Sequence, residues 1–520
     1  MASPSLPGLL DGVADRHEDR CAIVDGATRV TFGDLARESR RVAAGLRTLG
    51  LQRGDTLAVW LPNVHEWLVL EYACGRLGLR MLALNPRLRT AELAHLIPAS
   101  GARALALMPG FRGVDFLAMA REMAPGLPVI AVREVVEGAV AYAELREHGE
   151  VSADSAASDL LNVFPTSGTT ASPKLAAHDQ GGVVRHAQNV AAAIDLSAGD
   201  VMLLSLPLCG VFGFNGALAA FCAGATLVLQ VAFDAETAAR LLADHGVTHY
   251  YGPDSMLRAV IASPVFDPRG VGRWRWGAYA NFTTGRPAEL IRDAEEKAGV
   301  KLVGAYGSSE CFALMSLWRQ EDRAEVRAQG GGFPISPEIE IRAGDPESGA
   351  PLMPGQRGEL QVRGYNVMRE YLGNPEGTRT AFTPDGWFRT GDLGYVNGDG
   401  SFVFLTRLRD SLRVRGYMVD PAEIEEYLLR HPSVAQAQVV GVASEHEGDL
   451  PVAFIVLAPG AAAGEDDLRD YCRKNIAGYK VPHRIWMLDE LPVIMGPNGV
   501  KVQRHRLREI AAALLAHDRP

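Results

Sequence analysis

The run Phe164-Pro-Thr-Ser-Gly-Thr-Thr-Ala-Ser-Pro-Lys174 constrains this chain more than any other stretch. It follows the apolar segment Leu160-Leu-Asn-Val-Phe164, which reads as a short buried strand, so the loop should hang from a sheet edge. Backbone N–H groups in such a turn, with Gly168 and the hydroxyls of Thr166, Ser167, Thr169 and Thr170, can surround anionic oxygens while Lys174 supplies a point charge. It is not a Walker A loop, because Lys174 is preceded by Pro173 and followed by Leu175. Ser/Thr/Gly clusters between strands also form plain surface loops, so the run alone leaves both readings open.

The surrounding pattern is one of alternating strands and helices. Thr31-Phe-Gly-Asp34 has the form of a capping box, and Leu35, Val42, Leu46 and Leu49 follow at helical spacing up to Gly50. A strand over Thr56–Leu61, a helix over about Val64–Leu77 and a strand over Arg80–Leu84 come next, and further strands are predicted at Val201–Pro207, Thr226–Val231, Thr248–Tyr251 and Lys301–Gly304. Such alternation predicts mostly parallel sheets covered by helices. From Gly358 to Asp410 the character changes to short strands with Gly and Asp-Gly turns, predicting a β-rich subdomain. Beyond it a compact α/β segment is predicted: helix Pro421–Leu429, strands Ala435–Val442 and Val452–Leu457, helix Glu465–Asn475 and strand His483–Leu488. The fold class is therefore α/β, with a large N-terminal domain over 1–405, a boundary at 406–410 and a small α/β domain over 411–520.

Charge and cysteine usage narrow the function. With 52 Lys+Arg against 62 Asp+Glu and no basic block, nucleic acid is excluded as an expected partner. The six cysteines are scattered at 21, 74, 209, 222, 311 and 472 with no C-x-x-C pair, which argues against a disulfide framework or zinc site and fits a reducing cytoplasm. No signal-peptide pattern opens the chain. Val201 to Phe233 contains no charged residue and is long enough to span a membrane, but Pro207, Gly210, Gly213 and Gly216 punctuate it, so it reads as core.

Several motifs carry chemistry. Tyr306-Gly-Ser-Ser-Glu310 offers an aromatic face for a base, hydroxyls for phosphate and a carboxylate for Mg2+. Trp387-Phe-Arg-Thr-Gly-Asp392 ends in a carboxylate whose two oxygens can accept from two hydroxyls, although an Asp in a hairpin turn is the plain alternative.

Together with the Thr/Ser/Gly loop, these motifs resemble, in order, those of the adenylate-forming superfamily: acyl-CoA synthetases, luciferases and nonribosomal adenylation domains. Ala171 and Leu175 stand where that family usually has Gly, and Ser309 replaces its Thr. The resemblance implies that Thr166 to Thr170, Lys174 and Tyr306, Gly307, Ser308 and Ser309 hold ATP, that Glu310 positions Mg2+, and that Asp392 with Arg407 binds the ribose. Arg409 falls on the family's hinge position, and Arg415 to Glu425 matches the segment in which Gly416 and Tyr417 approach CoA. Lys501, within Gly499-Val-Lys-Val-Gln-Arg504, matches the lysine of the first half-reaction, though Val500 interrupts the usual pattern; Thr166 and Glu310 join it as catalytic. The acid would lie against Gly210, Val211, Phe212, Asn281, Phe282, Thr283 and Gly304. That region departs most, since Gly210 takes the place of a ring and Phe282-Thr-Thr-Gly-Arg286 replaces a glycine-rich segment. The implied activity is ATP-dependent acid:CoA ligation through an acyl adenylate, with ATP, Mg2+ and CoA. A different acceptor or acid (carrier protein, amine or nitrite chemistry) and a non-catalytic nucleotide-binding relative are the alternatives.

Overall fold

A computed structural model describes residues 5–166, 174–281, 287–414, 417–444, 448–474, 476–496 and 499–517. Helix Phe32–Thr48 shows how closely local chemistry dictates an element. The Thr31 hydroxyl accepts from Asp34 N at 3.0 Å and the Asp34 carboxylate accepts from Thr31 N at 3.3 Å, so two N-terminal donors are satisfied reciprocally.

Two sheets share a core with this helix. The first has eight strands in the order Glu370–Tyr371, Leu175–Asp179, Leu160–Pro165, Arg80–Ala83, Thr56–Trp60, Ala102–Leu107, Val129–Ala131, Val140–Ala141. It is parallel from Leu160–Pro165 onward and antiparallel at its first two pairings. The second orders His249–Tyr250, Val201–Leu204, Thr226–Leu229, Cys21–Asp25 and Thr28–Thr31, parallel except for the last pair.

Strand periodicity sorts the side chains: Leu57 and Val59 enter the central core with helices Leu6–His17, Phe32–Thr48, His65–Leu77, Gln180–Ala193 and Val211–Cys222, while Ala58 and Trp60 enter a second core on the outer face. Both faces of these strands are thus buried, as continuous apolar runs require. The uncharged stretch 201–233 resolves into strand, buried helix Val211–Cys222 and strand. No helix among the described residues is long and apolar enough to cross a membrane.

The third sheet joins Gly252–Pro253, Gly277–Ala280 and Leu302–Tyr306, all parallel, to the antiparallel strands Ser316–Leu317, Gly330–Pro334, Phe402–Arg407, Phe388–Val396, Gly358–Arg363 and Glu340–Gly344. The β-rich stretch therefore continues the parallel strands rather than standing apart from them. Strand Glu370–Tyr371 leaves it and pairs with Leu175–Asp179 of the first sheet.

The C-terminal part has its own core and sheet: Tyr417–Val419, Leu412–Val414, Gly448–Leu457 and Val434–Ser444, with Arg484–Met487 parallel to Gly448–Leu457. Helix Pro421–Leu429 covers it, and the hairpin Val493–Gly496/Gly499–Val502 precedes helix Arg504–His517.

Candidate active site

The Thr/Ser/Gly run joins the antiparallel strands Leu160–Pro165 and Leu175–Asp179, closed at its base by Thr166 N donating to Lys174 O at 2.8 Å. Thr166 is buried; Ser167, Gly168, Thr169, Thr170 and Ala171 lie outside the described residues. Leu175 begins its strand with ordinary backbone geometry and packs into the outer core, so nothing there calls for the family's glycine.

The crossover strand Glu370–Tyr371 brings a residue to this loop that sequence reading missed. The Lys174 ammonium lies 4.7 Å from the centre of the Tyr371 ring, and the Tyr371 hydroxyl donates to Glu310 Oε1 at 2.9 Å. Burial and the Glu310 carboxylate push the Tyr371 phenol up, so it remains a donor. Nothing in its spacing singled Tyr371 out, since it sits in a two-residue strand amid turns.

Gly307, Ser308, Ser309 and Glu310 follow strand Leu302–Tyr306. A Cβ on Gly307 would lie 2.7 Å from the Ala313 backbone, so this turn closes only over a glycine. Ser308 Oγ accepts from Cys311 N, Ser309 O accepts from His178 Nε2 at 2.8 Å, and Glu310 O accepts from Met368 N at 2.7 Å.

Asp392 corrects an expectation. Rather than standing in a turn, it lies within strand Phe388–Val396 and is 3 % exposed. Opposite Leu360 the strand bulges: Glu359 pairs with Leu393 and Gln361 with Arg389, and Gly391 takes φ +68°. That bulge turns the Asp392 carboxylate inward, where the Tyr306 hydroxyl donates to Oδ2 at 2.5 Å and Arg407 Nη1 stands 3.0 Å from Oδ1. Burial raises the Asp392 pKa, and Arg407 and then Tyr306 oppose the rise. Oδ1 accepts no well-aligned hydrogen bond, which leaves a buried acceptor suited to a sugar hydroxyl. The Tyr306 ring leans on Phe402 and Phe404, at 5.3 and 5.6 Å between centroids.

Of the residues expected to face the acid, buried Gly210 caps helix Val211–Cys222, and Val211 and Phe212 are buried. Phe212 packs on Tyr251 at 5.1 Å, and the Tyr251 hydroxyl donates to Phe212 O at 3.2 Å. Space for that hydroxyl exists because residue 216 is glycine, where a Cβ would fall 1.7 Å from it. Gly304 is buried with the Gln329 and Arg327 carbonyls where a side chain would go, so tight strand packing accounts for this glycine. Asn281 is exposed; Phe282 and Thr283 lie outside the described residues.

Toward the C-terminus, Arg409 belongs to the single turn Leu408–Asp410, and Arg508 bonds Asp410 from the last helix. Gly416 lies outside the described residues, as do the side chains of Arg409, Tyr417 and Lys501. Tyr417 opens strand Tyr417–Val419, and Lys501 pairs across the hairpin with Ile494. Arg504 Nη2 donates to both oxygens of buried Glu425, at 2.9 and 3.0 Å, tying the hairpin's exit to helix Pro421–Leu429. Arg357 reaches Glu423 of that helix at 2.9 Å, joining the two parts of the molecule.

These residues suit MgATP: Glu310 offers the hard oxygen donor that Mg2+ prefers, Lys174 a phosphate partner, and Asp392 a free acceptor.

The family described as AMP-binding enzyme matches residues 10–372, and its C-terminal domain matches residues 423–494. The chain is 31% identical to 4-coumarate–CoA ligase 5 of Oryza sativa subsp. japonica, covering 97% of this chain and 94% of the relative. It is 31% identical to 2-succinylbenzoate–CoA ligase of Bacillus licheniformis, covering 96% and 99%. The crystal structure of ATP-bound MatB from Rhodopseudomonas palustris superposes with a TM-score of 0.87 at 26% identity, over 99% of this chain and 100% of that one. With both parts matched and its motifs in family order, the chain belongs to the AMP-binding enzymes, the adenylate-forming superfamily.

Proposed function

We propose that this chain is an ATP-dependent acid:CoA ligase. The observation that carries the reading is the pair of linked clusters, Lys174–Tyr371–Glu310 and Tyr306–Asp392–Arg407, which combine phosphate, metal and ribose donors in one place. The names of the relatives supply the acceptor, since both curated ones are CoA ligases.

In the first half-reaction a substrate carboxylate oxygen attacks the α-phosphorus of ATP, the bond to the bridging oxygen breaks, and pyrophosphate leaves with acyl adenylate remaining. Lys174 and the Thr166–Thr170 loop hold phosphate oxygens, Asp392 and Arg407 hold the ribose, and Lys501 neutralises charge on the α-phosphate. Mg2+, held by Glu310, neutralises phosphate charge when bound. In the second half the CoA thiol, losing its proton, attacks the acyl carbon and AMP leaves. The exchange of Lys501 for Gly416 and Tyr417 follows rotation of a domain over 411–520 against one over 1–405, about the hinge 406–410 at Arg409. Gly210, Val211, Phe212, Asn281, Phe282, Thr283 and Gly304 form the acid side. The free cysteines suit a reducing compartment such as the cytoplasm.

The test is acid-dependent ATP–pyrophosphate exchange across a panel of carboxylic acids, followed by thioester formation on adding CoA. Exchange without thioester would move the acceptor to a carrier protein or amine, and ATP binding with no exchange would leave only a nucleotide-binding protein.

A further inference from the structure

Immediately after Glu310 the backbone enters a conformation that L-residues avoid. Phe312, Ala313 and Leu314 all have positive φ, at 57°, 51° and 39°. Left-handed backbone is strained for any residue that carries a Cβ, and here none of the three is glycine.

The turn is held from four directions. His178 Nε2 donates to Ser309 O at 2.8 Å, Asn366 Nδ2 to Cys311 O at 2.9 Å, Asn215 Nδ2 to Phe312 O at 2.7 Å and His186 Nε2 to Ala313 O at 2.8 Å. These donors come from strand Leu175–Asp179, the segment before Glu370–Tyr371, helix Val211–Cys222 and helix Gln180–Ala193. The Phe312 ring, 1 % exposed, is enclosed by His178, His186, Phe164 and Phe214. Burial lowers both histidine pKa values to about 4, so each is neutral with its proton on the donating nitrogen.

Three of the four side chains donate at a cost to themselves. His186 Nδ1, Asn215 Oδ1 and Asn366 Oδ1 are buried acceptors with no hydrogen-bond partner among the described residues. A buried acceptor without a partner is costly, and three of them around one turn point to the donor that each side chain supplies in exchange.

We propose that His178, His186, Asn215 and Asn366 are positioning residues for the divalent-cation site, locking the strained Cys311–Leu314 turn so that Glu310 is presented in one orientation. The proposal rests on Glu310 being the metal carboxylate of the adenylation step. Tyr371 fixes the Glu310 side chain and the turn fixes its main chain, so the carboxylate is held from both ends.

The experiment measures ATP binding to the full chain by calorimetry in EDTA and in rising Mg2+, with melting temperature in parallel. For wild type, ATP affinity should rise with Mg2+. In His186→Leu the Mg2+ midpoint should rise about tenfold with ATP affinity in EDTA unchanged, and His186→Gln, which keeps an N–H donor, should recover most of it. Because His186→Leu can fail to fold, Ala313→Gly provides a second arm that deletes only one buried methyl. It should hold or raise the melting temperature, by relieving the left-handed strain, and still raise the Mg2+ midpoint. An unchanged midpoint in folded Ala313→Gly, or an equal loss of ATP affinity with and without Mg2+, would overturn the positioning role. Wild-type binding indifferent to Mg2+ would instead remove the Glu310 assignment and the proposal with it.

Discussion

The proposed nucleotide side and the proposed acyl side of this site are built from opposite materials. From Tyr306 to Arg407 the groups are polar, inward-facing and mutually bonded, with Tyr306 on Asp392, Asp392 beside Arg407, and Tyr371 between Lys174 and Glu310. Around Gly210–Phe212 the wall is an apolar helix shaped by glycines, with Gly216 making room for Tyr251. The first side depends on particular atoms, because a buried donor or acceptor tolerates no substitute lacking its partner. The second depends on volume, which many combinations of side chains can supply. Nucleotide recognition should therefore fail sharply on mutation, and acid selection should drift.

The severest test of that contrast is Lys501→Ala. Losing a charge aimed at transition-state oxygens should slow acyl-adenylate formation by about 100-fold or more, while presynthesised acyl adenylate and CoA still give thioester. Equal slowing of both halves would make Lys501 structural. Asp392→Asn should come next, raising KM for ATP about tenfold or more with the acid KM unchanged. It should also lower the melting temperature, because Tyr306 and Arg407 lose an ionised partner in a buried position. An unaltered melting temperature would mean that the carboxylate is not the buried hub described above.

On the other side, Gly210→His should leave ATP kinetics alone and shift preference towards smaller acids, a change of about tenfold in relative kcat/KM. An unaltered acid profile would take Gly210 out of the pocket wall.

The smallest effect on activity belongs to neither side. Glu71 is buried with Asn162 donating to one oxygen, and burial pushes its pKa up to about 8. Its folded value lies above the unfolded one near 4.5, so its contribution to stability is full below that pH and is lost as pH rises towards 8. Glu71→Gln should flatten the fall in stability over that window without changing turnover at neutral pH; a thermal-shift series against pH reads it directly.

What the sequence could disclose follows the same division. The capped helix after Thr31, helix Pro421–Leu429 and the strand before the Thr/Ser/Gly run are local matters, fixed by spacing and terminal residues, and their predicted bounds lie within a residue or two of the observed ones. Strand Gly330–Pro334, which carries the parallel strands into the antiparallel ones, was hidden by three successive glycines. Gly331 and Gly332 take φ of 112° and 115° because Phe402 and Leu317 leave no room for a Cβ. The hairpin-turn alternative for Asp392 could not be decided from the sequence, because motif and turn residues cannot show that a bulge rotates it inward. The four donors around the left-handed turn share no motif, since they come from four separate segments brought together only by packing.

Arg504 and Glu425 set a mechanical condition on the cycle proposed above. With the guanidinium bonded to both carboxylate oxygens, the hairpin bearing Lys501 and the helix behind Gly416 are bolted together. Breaking such a buried pair costs about 3–5 kcal/mol, so the two segments travel as a single lever. Under the two-state cycle proposed above, Lys501 would not withdraw without the segment around Gly416 advancing, and no state would exist in which both, or neither, meet the adenylate. In that cycle the linkage would act as an interlock, limiting the time the activated acid stands exposed to water between partners.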